Sequence, residues 1–155
     1  MRWKPNATVA TVIEQNGKYL LVEEIAENQL VYNQPAGHLE ENETYAEAAV
    51  REVLEETGWD IQLDAVQGLY TYFAEINQTT YHRMCFTGTT LQHHPEYKLD
   101  DGIQRAVWLS LEELIASGKA RSPLVIKCIE DHIAGKRFPL DFIYEHPHKR
   151  NTHEK

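Results

Sequence analysis

Residues 37–59 read GHLEENETYAEAAVREVLEETGW, and the rest of the chain is organised around this stretch. Thr44-Tyr45-Ala46-Glu47 has the form of a capping box, a hydroxyl for the third helical N–H and a carboxylate returning to the threonine N–H. The spacing predicts a helix to about Thr57, with Gly58 as its left-handed stop. At ~100° per residue with Glu52 at zero, Glu55 and Glu56 fall within about 60° on either side. Tyr45, Ala48 and Ala49 complete that face. Ala46, Val50, Val53 and Leu54 point the other way and are expected to face the core.

A glutamate-rich face is ordinarily a solvated one. Here, however, like charges at i, i+3 and i+4 repel by roughly 0.2–0.5 kcal/mol per pair. They also crowd the last turn, where the helix dipole favours a cation. The arrangement costs stability unless a cation sits among the carboxylates. Ligands that are all oxygen select hard ions, Mg²⁺ or Mn²⁺ for catalysis, with Ca²⁺ as the structural alternative. A calcium-stabilised structural protein should instead carry an Asp/Asn-rich loop of the EF-hand kind, and none is present.

Upstream, Ala7–Glu14 and Tyr19–Ile25 flank Asn16-Gly17, a strong hairpin signal. A short segment, Leu30–Gln34, runs into Pro35-Ala36-Gly37, which is expected to break regular structure. Downstream, Gln67–Glu75, Thr79–Leu91 and Arg105–Leu109 read as strands. Ser110-Leu111-Glu112-Glu113 opens a short helix ending near Ser117-Gly118. Ser122-Pro123 opens a longer one with the stripe Leu124, Val125, Cys128, Ile129 and Ile133, closed by Gly135. The order β-β-β-α-β-β-β-α-α predicts an α/β fold, a mixed β-sheet covered by helices. Residues 1–144 are expected to form one domain and 145–155 a polar, flexible C-terminal tail.

The 155 residues suffice for one compact core, and 42% hydrophobic with 25% charged is ordinary for a globular chain. Lys plus Arg total 15 against 24 Asp plus Glu, a formal net charge of −9. That balance opposes binding to a nucleic-acid polymer or an anionic membrane. A small phosphate substrate then requires a bridging cation. Two cysteines, Cys85 and Cys128, fit a reducing compartment, with one disulfide between them as the alternative. The opening MRWKPNATVA lacks a signal peptide's apolar run, and no stretch approaches the ~20 apolar residues of a transmembrane helix. A cytoplasmic protein is expected.

Residues 37–59 resemble the Nudix box of the MutT-like hydrolases, G-x5-E-x7-R-E-U-x-E-E-x-G-U, where U is bulky and aliphatic. Gly37, Glu43, Arg51, Glu52, Val53, Glu55, Glu56 and Gly58 stand in register with it; Trp59 replaces the final aliphatic residue. The resemblance implies an α/β/α sandwich and a metal-dependent pyrophosphohydrolase of nucleoside diphosphates linked to a further moiety. By position, it implies that Glu52, Glu55 and Glu56 are metal-binding or catalytic carboxylates, with Glu52 and Glu55 as the catalytic candidates. Glu52 and Glu56 are one turn apart and suit bridging a metal pair. Glu55 is either a ligand or the base, roles the sequence does not separate. Gly37 adds a backbone carbonyl to the metal shell, and Glu43 pairs with Arg51 to hold loop to helix; a plain surface ion pair is the alternative.

KPNATVAT, GKYLLVEE, NQPAGHLE, RSPLV and GKRFPL extend the similarity to bacterial Nudix phosphatases of the NudJ type. This implies action on nucleoside tri- and diphosphates and on hydroxymethylpyrimidine diphosphate, a thiamine precursor. Nucleotide sugars, dinucleoside polyphosphates and oxidised nucleotides are the alternative substrates, and a non-catalytic ligand-sensing Nudix module is the alternative role. Loss of catalysis should erode the carboxylates, and none is missing. Isopentenyl-diphosphate isomerases carry an altered box, unlike this one.

The other candidates are weaker. Arg83, mid-strand, suits a substrate phosphate or a structural ion pair. Tyr32 and Asn33 are placed to contact a base, although a tyrosine such as Tyr32 more often belongs to the core. Glu96, Asp100 and Asp101 either add acids to the site or form a solvated loop. Ser122 reads as a helix cap beside Arg121, and His93-His94 as loop.

Overall fold

The computed structural model describes residues 1–147. Strands β1 (Asn6–Gln15) and β2 (Lys18–Ala26) meet at Asn16-Gly17, both at positive φ (53° and 76°), the conformation a two-residue hairpin demands. β3 (Gln29–Asn33) follows, then β4 (Ala36–His38), helix α1 (Tyr45–Thr57), β5 (Trp59–Ala74), β6 (Thr79–His93), β7 (Ile103–Leu109), α2 (Leu111–Ser117) and α3 (Pro123–Ile133). A 3₁₀ turn, Leu140–Phe142, closes the described chain.

The seven strands form one mixed sheet whose path is β3-β2-β1-β6-β5, with β4 added to β1 and β7 to β2. β1 pairs with β2 only beside the turn (Glu14↔Tyr19, Gln15↔Lys18). From Asn6 to Ile13 it runs parallel to β6 instead. Adjacent residues of β6 point to opposite faces. Phe86 meets Ala48 and Ala49 of α1, and Cys85 meets Val125, Cys128 and Ile129 of α3. Helices therefore cover both faces, the expected α/β/α sandwich.

Three expectations need correction. The break expected at Pro35-Ala36-Gly37 is confined to Gln34-Pro35 and does not extend over Ala36 and Gly37. Pro35 turns the chain out of β3, and Ala36–His38 then pair antiparallel with Thr8–Ala10 of β1. β5 begins at Trp59 rather than near Gln67. Its first half alternates Trp59, Ile61, Leu63 and Ala65 with Asp60, Gln62 and Asp64, a period-2 signal hidden by irregular pairing at Asp60/Ile61 and Leu63/Ala65.

The third concerns α1. Its caps are as expected: Glu47 N–H donates to Thr44 Oγ1, and Gly58 (φ 76°) donates to Leu54 O. But Ala46 is exposed and Leu54 only half-buried, while Ala48, Ala49, Glu52, Val53 and Glu56 are buried. The two alanines are small enough to bring the helix close to Val9, Val66 and Phe86, and that approach takes two glutamates inside. Val53 alone of the expected core face is fully buried, against Ile13, Leu20 and Ile61.

Of the expected tail, residues 148–155 lie outside the described residues. Glu145, within them, accepts the Tyr45 N–H at 3.1 Å at the start of α1. No helix among the described residues is long and apolar enough to cross a membrane.

Candidate active site

The site forms where the last two turns of α1 face β4 and the 94–102 loop. Arg51 organises it. Its Nε donates to Glu43 Oε2 (2.6 Å) and Nη2 to Glu43 Oε1 (2.9 Å), a two-pronged pair that joins loop to helix. Nη1 reaches Glu52 (2.8 Å) and Glu55 (3.1 Å), and Nη2 also donates to the His38 carbonyl at 3.1 Å. The Arg51 guanidinium holds Glu43 well below the usual carboxylate range, and Glu43 in turn raises Arg51.

One cation does not balance this cluster. Burial pushes the Glu52 carboxyl up, opposed by Arg51 and reinforced by Glu55 and Asp100. Glu56 is pushed up to about 8, chiefly by burial and further by Glu52, Glu24 and Asp100, although the Ala36 N–H donates to its Oε1 at 2.7 Å. Folding has thus assembled carboxylates whose ionised forms repel one another.

Glu52, Glu55 and Asp100 each offer an oxygen within 4.8 Å of the others. Asp100 is brought in by its own N–H, which donates to the Glu55 carbonyl at 3.1 Å. Of the three loop acids the sequence left open, only Asp100 arrives. Glu96 approaches His94 Nδ1 at 3.5 Å, and Asp101 is exposed elsewhere. Glu56 sits outside the trio, turned to Ala36. Gly37 lies directly against the Glu52 carboxylate, where any β-carbon would overlap it. The donor set is entirely oxygen and carries excess negative charge, which fits a hard divalent cation.

On the other side of β4 opens a cavity of about 760 Å³, lined by Asn33, Gly37, His38, Tyr72, Tyr81 and Arg83 among others. Asn33 and Arg83 therefore face one space. Tyr32 does not: residues alternate along β3, and its hydroxyl donates to Glu23 at 3.2 Å while its ring packs on the core. Arg83 is buried and forms no ion pair with a described residue; its partners are Gln34 (3.0 Å) and Asn33 (3.1 Å). Gln34 was missed in the sequence. It is an amide between a strand and a proline, and nothing local marks it as buried.

Ser122 caps α3, its Oγ accepting the Leu124 N–H, and Arg121 pairs with Glu24 at 2.6 Å. His93 ends β6 and stacks on Trp59 at 4.6 Å, and His94 bonds Asp60 at 2.6 Å, so the pair is structural rather than free loop. Cys85 and Cys128 are buried free thiols.

The NUDIX domain family matches residues 3–127, most of the chain. The chain belongs to the Nudix family. Its Nudix fold extends to relatives of known structure and name. The phosphatase NudJ of Escherichia coli K12 is 39% identical over 141 residues, 91% of this chain and 92% of that protein. A NUDIX hydrolase structure from Nitrosomonas europaea superposes with a TM-score of 0.90 at 50% identity, covering 92% of this chain and 98% of that one. A MutT NUDIX hydrolase from Burkholderia pseudomallei, 17% identical, shares the fold with a TM-score of 0.72 over 83% of this chain and 98% of that one. The chain is a Nudix hydrolase acting on phosphoanhydrides.

Proposed function

We propose that this Nudix hydrolase removes phosphate from nucleoside tri- and diphosphates and from hydroxymethylpyrimidine diphosphate, by water attack at phosphorus. The observation that carries the reading is the oxygen cluster of Glu52, Glu55 and Asp100 against Gly37, in a chain 39% identical to a NudJ phosphatase along nearly its whole length. Residues 1–144 constitute the catalytic domain, and two free thiols suit a cytoplasmic location.

Glu52, Glu55 and Asp100 with the Gly37 carbonyl would hold Mg²⁺ or Mn²⁺, and Glu56, whose Oε1 takes the Ala36 N–H, would join them through its other oxygen. Bound there, the cation supplies Lewis acidity and offsets the negative charge on the phosphate oxygens. The chain's own residues do the rest. Arg51 fixes Glu52 and Glu55 in orientation. Glu55, half-exposed on the solvent side of the cluster, takes the proton of the attacking water. Glu52, buried under Gly37, would present its carboxylate to the cation rather than to the phosphate. Asn33 contacts the substrate from the cavity, whereas Tyr32 serves the wall behind it. Gly58 ends the helix so that Glu55 and Glu56 finish facing the site.

A phosphate-release screen tests the reading. Purified protein is given nucleotides, nucleotide sugars, dinucleoside polyphosphates and hydroxymethylpyrimidine diphosphate, with Mg²⁺, with Mn²⁺ and with EDTA. Phosphate release from the simple di- and triphosphates and the pyrimidine diphosphate, abolished by EDTA, is expected. Turnover confined to nucleotide sugars or dinucleoside polyphosphates would reject the substrate assignment, and undiminished turnover in EDTA would reject the metal.

A further inference from the structure

The cavity floor carries a cation that no carboxylate among the described residues pairs with; besides two amides, only the Cys128 thiol stands against it. Arg83 is 8% exposed, yet the groups accepting its Nη1 and Nη2 protons, Gln34 Oε1 and Asn33 Oδ1, are neutral amides. A buried charge without a counter-charge is costly, and amide acceptors satisfy its hydrogen bonds without neutralising it. The field of Arg83 registers on Cys128, which the Cys85 hydrogen bond and Arg83 together hold below the usual thiol range.

The guanidinium is also held in place in advance. Gln34 is fully buried, and its Nε2 donates to the Val125 carbonyl in the first turn of α3 at 2.8 Å. Its oxygen is thereby aimed at Arg83, as the Asn33 oxygen is from the end of β3. Other charges around the cavity do not compete at its floor. Glu27 and Glu75 stand exposed at the mouth, and Arg121 is neutralised by Glu24.

The sheet fixes where this cation lies relative to the carboxylates. Thr8 of β1 pairs with His38 on one side and Arg83 on the other. Arg83 is therefore two strand spacings, ~10 Å in backbone terms, from the strand on which Glu52 rests. Arg83, in phase with Cys85, faces the α3 side of the sheet, whereas Glu52 lies on the α1 side with Met84 and Phe86. The Arg83 corner is therefore separate from the oxygen cluster, and one substrate meets both only around the β4 edge.

We propose that Arg83, clamped by Asn33 and Gln34, forms a metal-independent oxyanion subsite for a phosphate group of the substrate other than the one attacked beside Glu52. It rests on the phosphoanhydride chemistry of the chain but not on turnover, so it can fail while hydrolysis stands.

Thermal melting of the full chain in excess EDTA, at ionic strength matched with sodium chloride, tests it with inorganic pyrophosphate as probe and cytidine as its phosphate-free control. Pyrophosphate should raise the melting temperature by several degrees and cytidine should not. Arg83→Gln should abolish the rise and Arg83→Lys keep part of it. Asn33→Asp places a carboxylate on the guanidinium in nearly the same volume, so it should raise the ligand-free melting temperature and remove the pyrophosphate response. It decides the matter even where Arg83→Gln fails to fold. No response in the unaltered protein would mean that the corner takes no anion. An equal response to cytidine would mean that the corner reads a base. A full response in Asn33→Asp would place the anion elsewhere. Each of these three overturns the proposal.

Discussion

Gly37 and the Glu52 carboxylate occupy adjoining space that admits no β-carbon: one built on Gly37 would overlap Glu52 Cδ and both carboxylate oxygens. The obstruction is the mobile end of a side chain, not backbone, and the Gly37 φ lies outside the left-handed region. Stability and activity should therefore separate. Gly37→Ala is expected to fold with a melting temperature close to the parent, because Glu52 can swing away. Hydrolysis should drop by about 100-fold, since displacing a catalytic group by an ångström costs on that order. Melting and steady-state kinetics on the one variant check both halves, and retained activity would show that Glu52 need not sit there.

The second expectation concerns pH. Glu56 titrates near 8 in the folded chain against an ordinary value of 4.5, so folding favours its neutral form. Its contribution to stability is full below about 4.5 and is lost as pH rises through 8, on the order of a few kcal/mol. Glu43 works the other way: held low by Arg51, it stabilises above its ordinary value and loses that as pH falls. In EDTA the melting temperature should peak on the acid side of neutrality and decline toward pH 9. With Mg²⁺ or Mn²⁺ the alkaline decline should flatten, because a cation favours the ionised carboxylates and binds only the folded chain. A metal-free profile flat from pH 5 to 9 would contradict the burial of Glu56.

Charge removal and charge insertion on α1 should have opposite effects. Glu52→Gln and Glu56→Gln are each expected to lower kcat by at least ~100-fold, by weakening the site on which transition-state stabilisation depends. At pH 8 without metal neither should lower the melting temperature, because each removes a buried, mutually repelled carboxylate. Val53→Asp buries a charge among Ile13, Leu20 and Ile61, with no partner, and should prevent folding. Circular dichroism and phosphate release on the three variants decide. Wild-type turnover in both glutamine variants would reduce the cluster to a structural feature.

Gly58 carries two constraints. It holds a left-handed φ of 76°, and a β-carbon there would come 2.9 Å from the His94 carbonyl oxygen, which is backbone and cannot turn aside. Its own carbonyl accepts the His94 N–H at 2.7 Å. Gly58→Ala should cost about 1–3 kcal/mol by denaturant unfolding. It should also lower kcat, because the loop it displaces delivers Asp100 to Glu55.

Most of the fold was legible because its signals are local. Asn16-Gly17, the two capping boxes and Ser122-Pro123 each specify a turn or helix start from a few adjacent residues. What was illegible depends on contacts between distant ones. The face of α1 turned inward because two alanines fit against Phe86, which lies in a strand some forty residues away. Asp100 reached the glutamates while Glu96 and Asp101 did not, through a single backbone hydrogen bond. Gln34 acquired its place from Arg83 and Val125, 49 and 91 residues along the chain. The box glutamates could be named from spacing, but not that Glu56 would turn to Ala36 while Asp100 joined the other two.

The parallel pairing of β1 with β6 has a consequence for synthesis. On the edge opposite β4, Asn6–Ile13 is paired by Tyr81–Gly88, so some seventy residues must leave the ribosome before that edge is covered. Until then Val9, Ala10, Val12 and Ile13, all buried in the finished protein, stand beside unpaired backbone groups. Such an edge invites pairing with another nascent chain, and long loop closure slows its capture. The hairpin to β2 forms early but protects only the two residues nearest the turn. Yield of folded protein on expression should therefore depend on temperature and chaperone supply more steeply than the stability of the folded state would suggest.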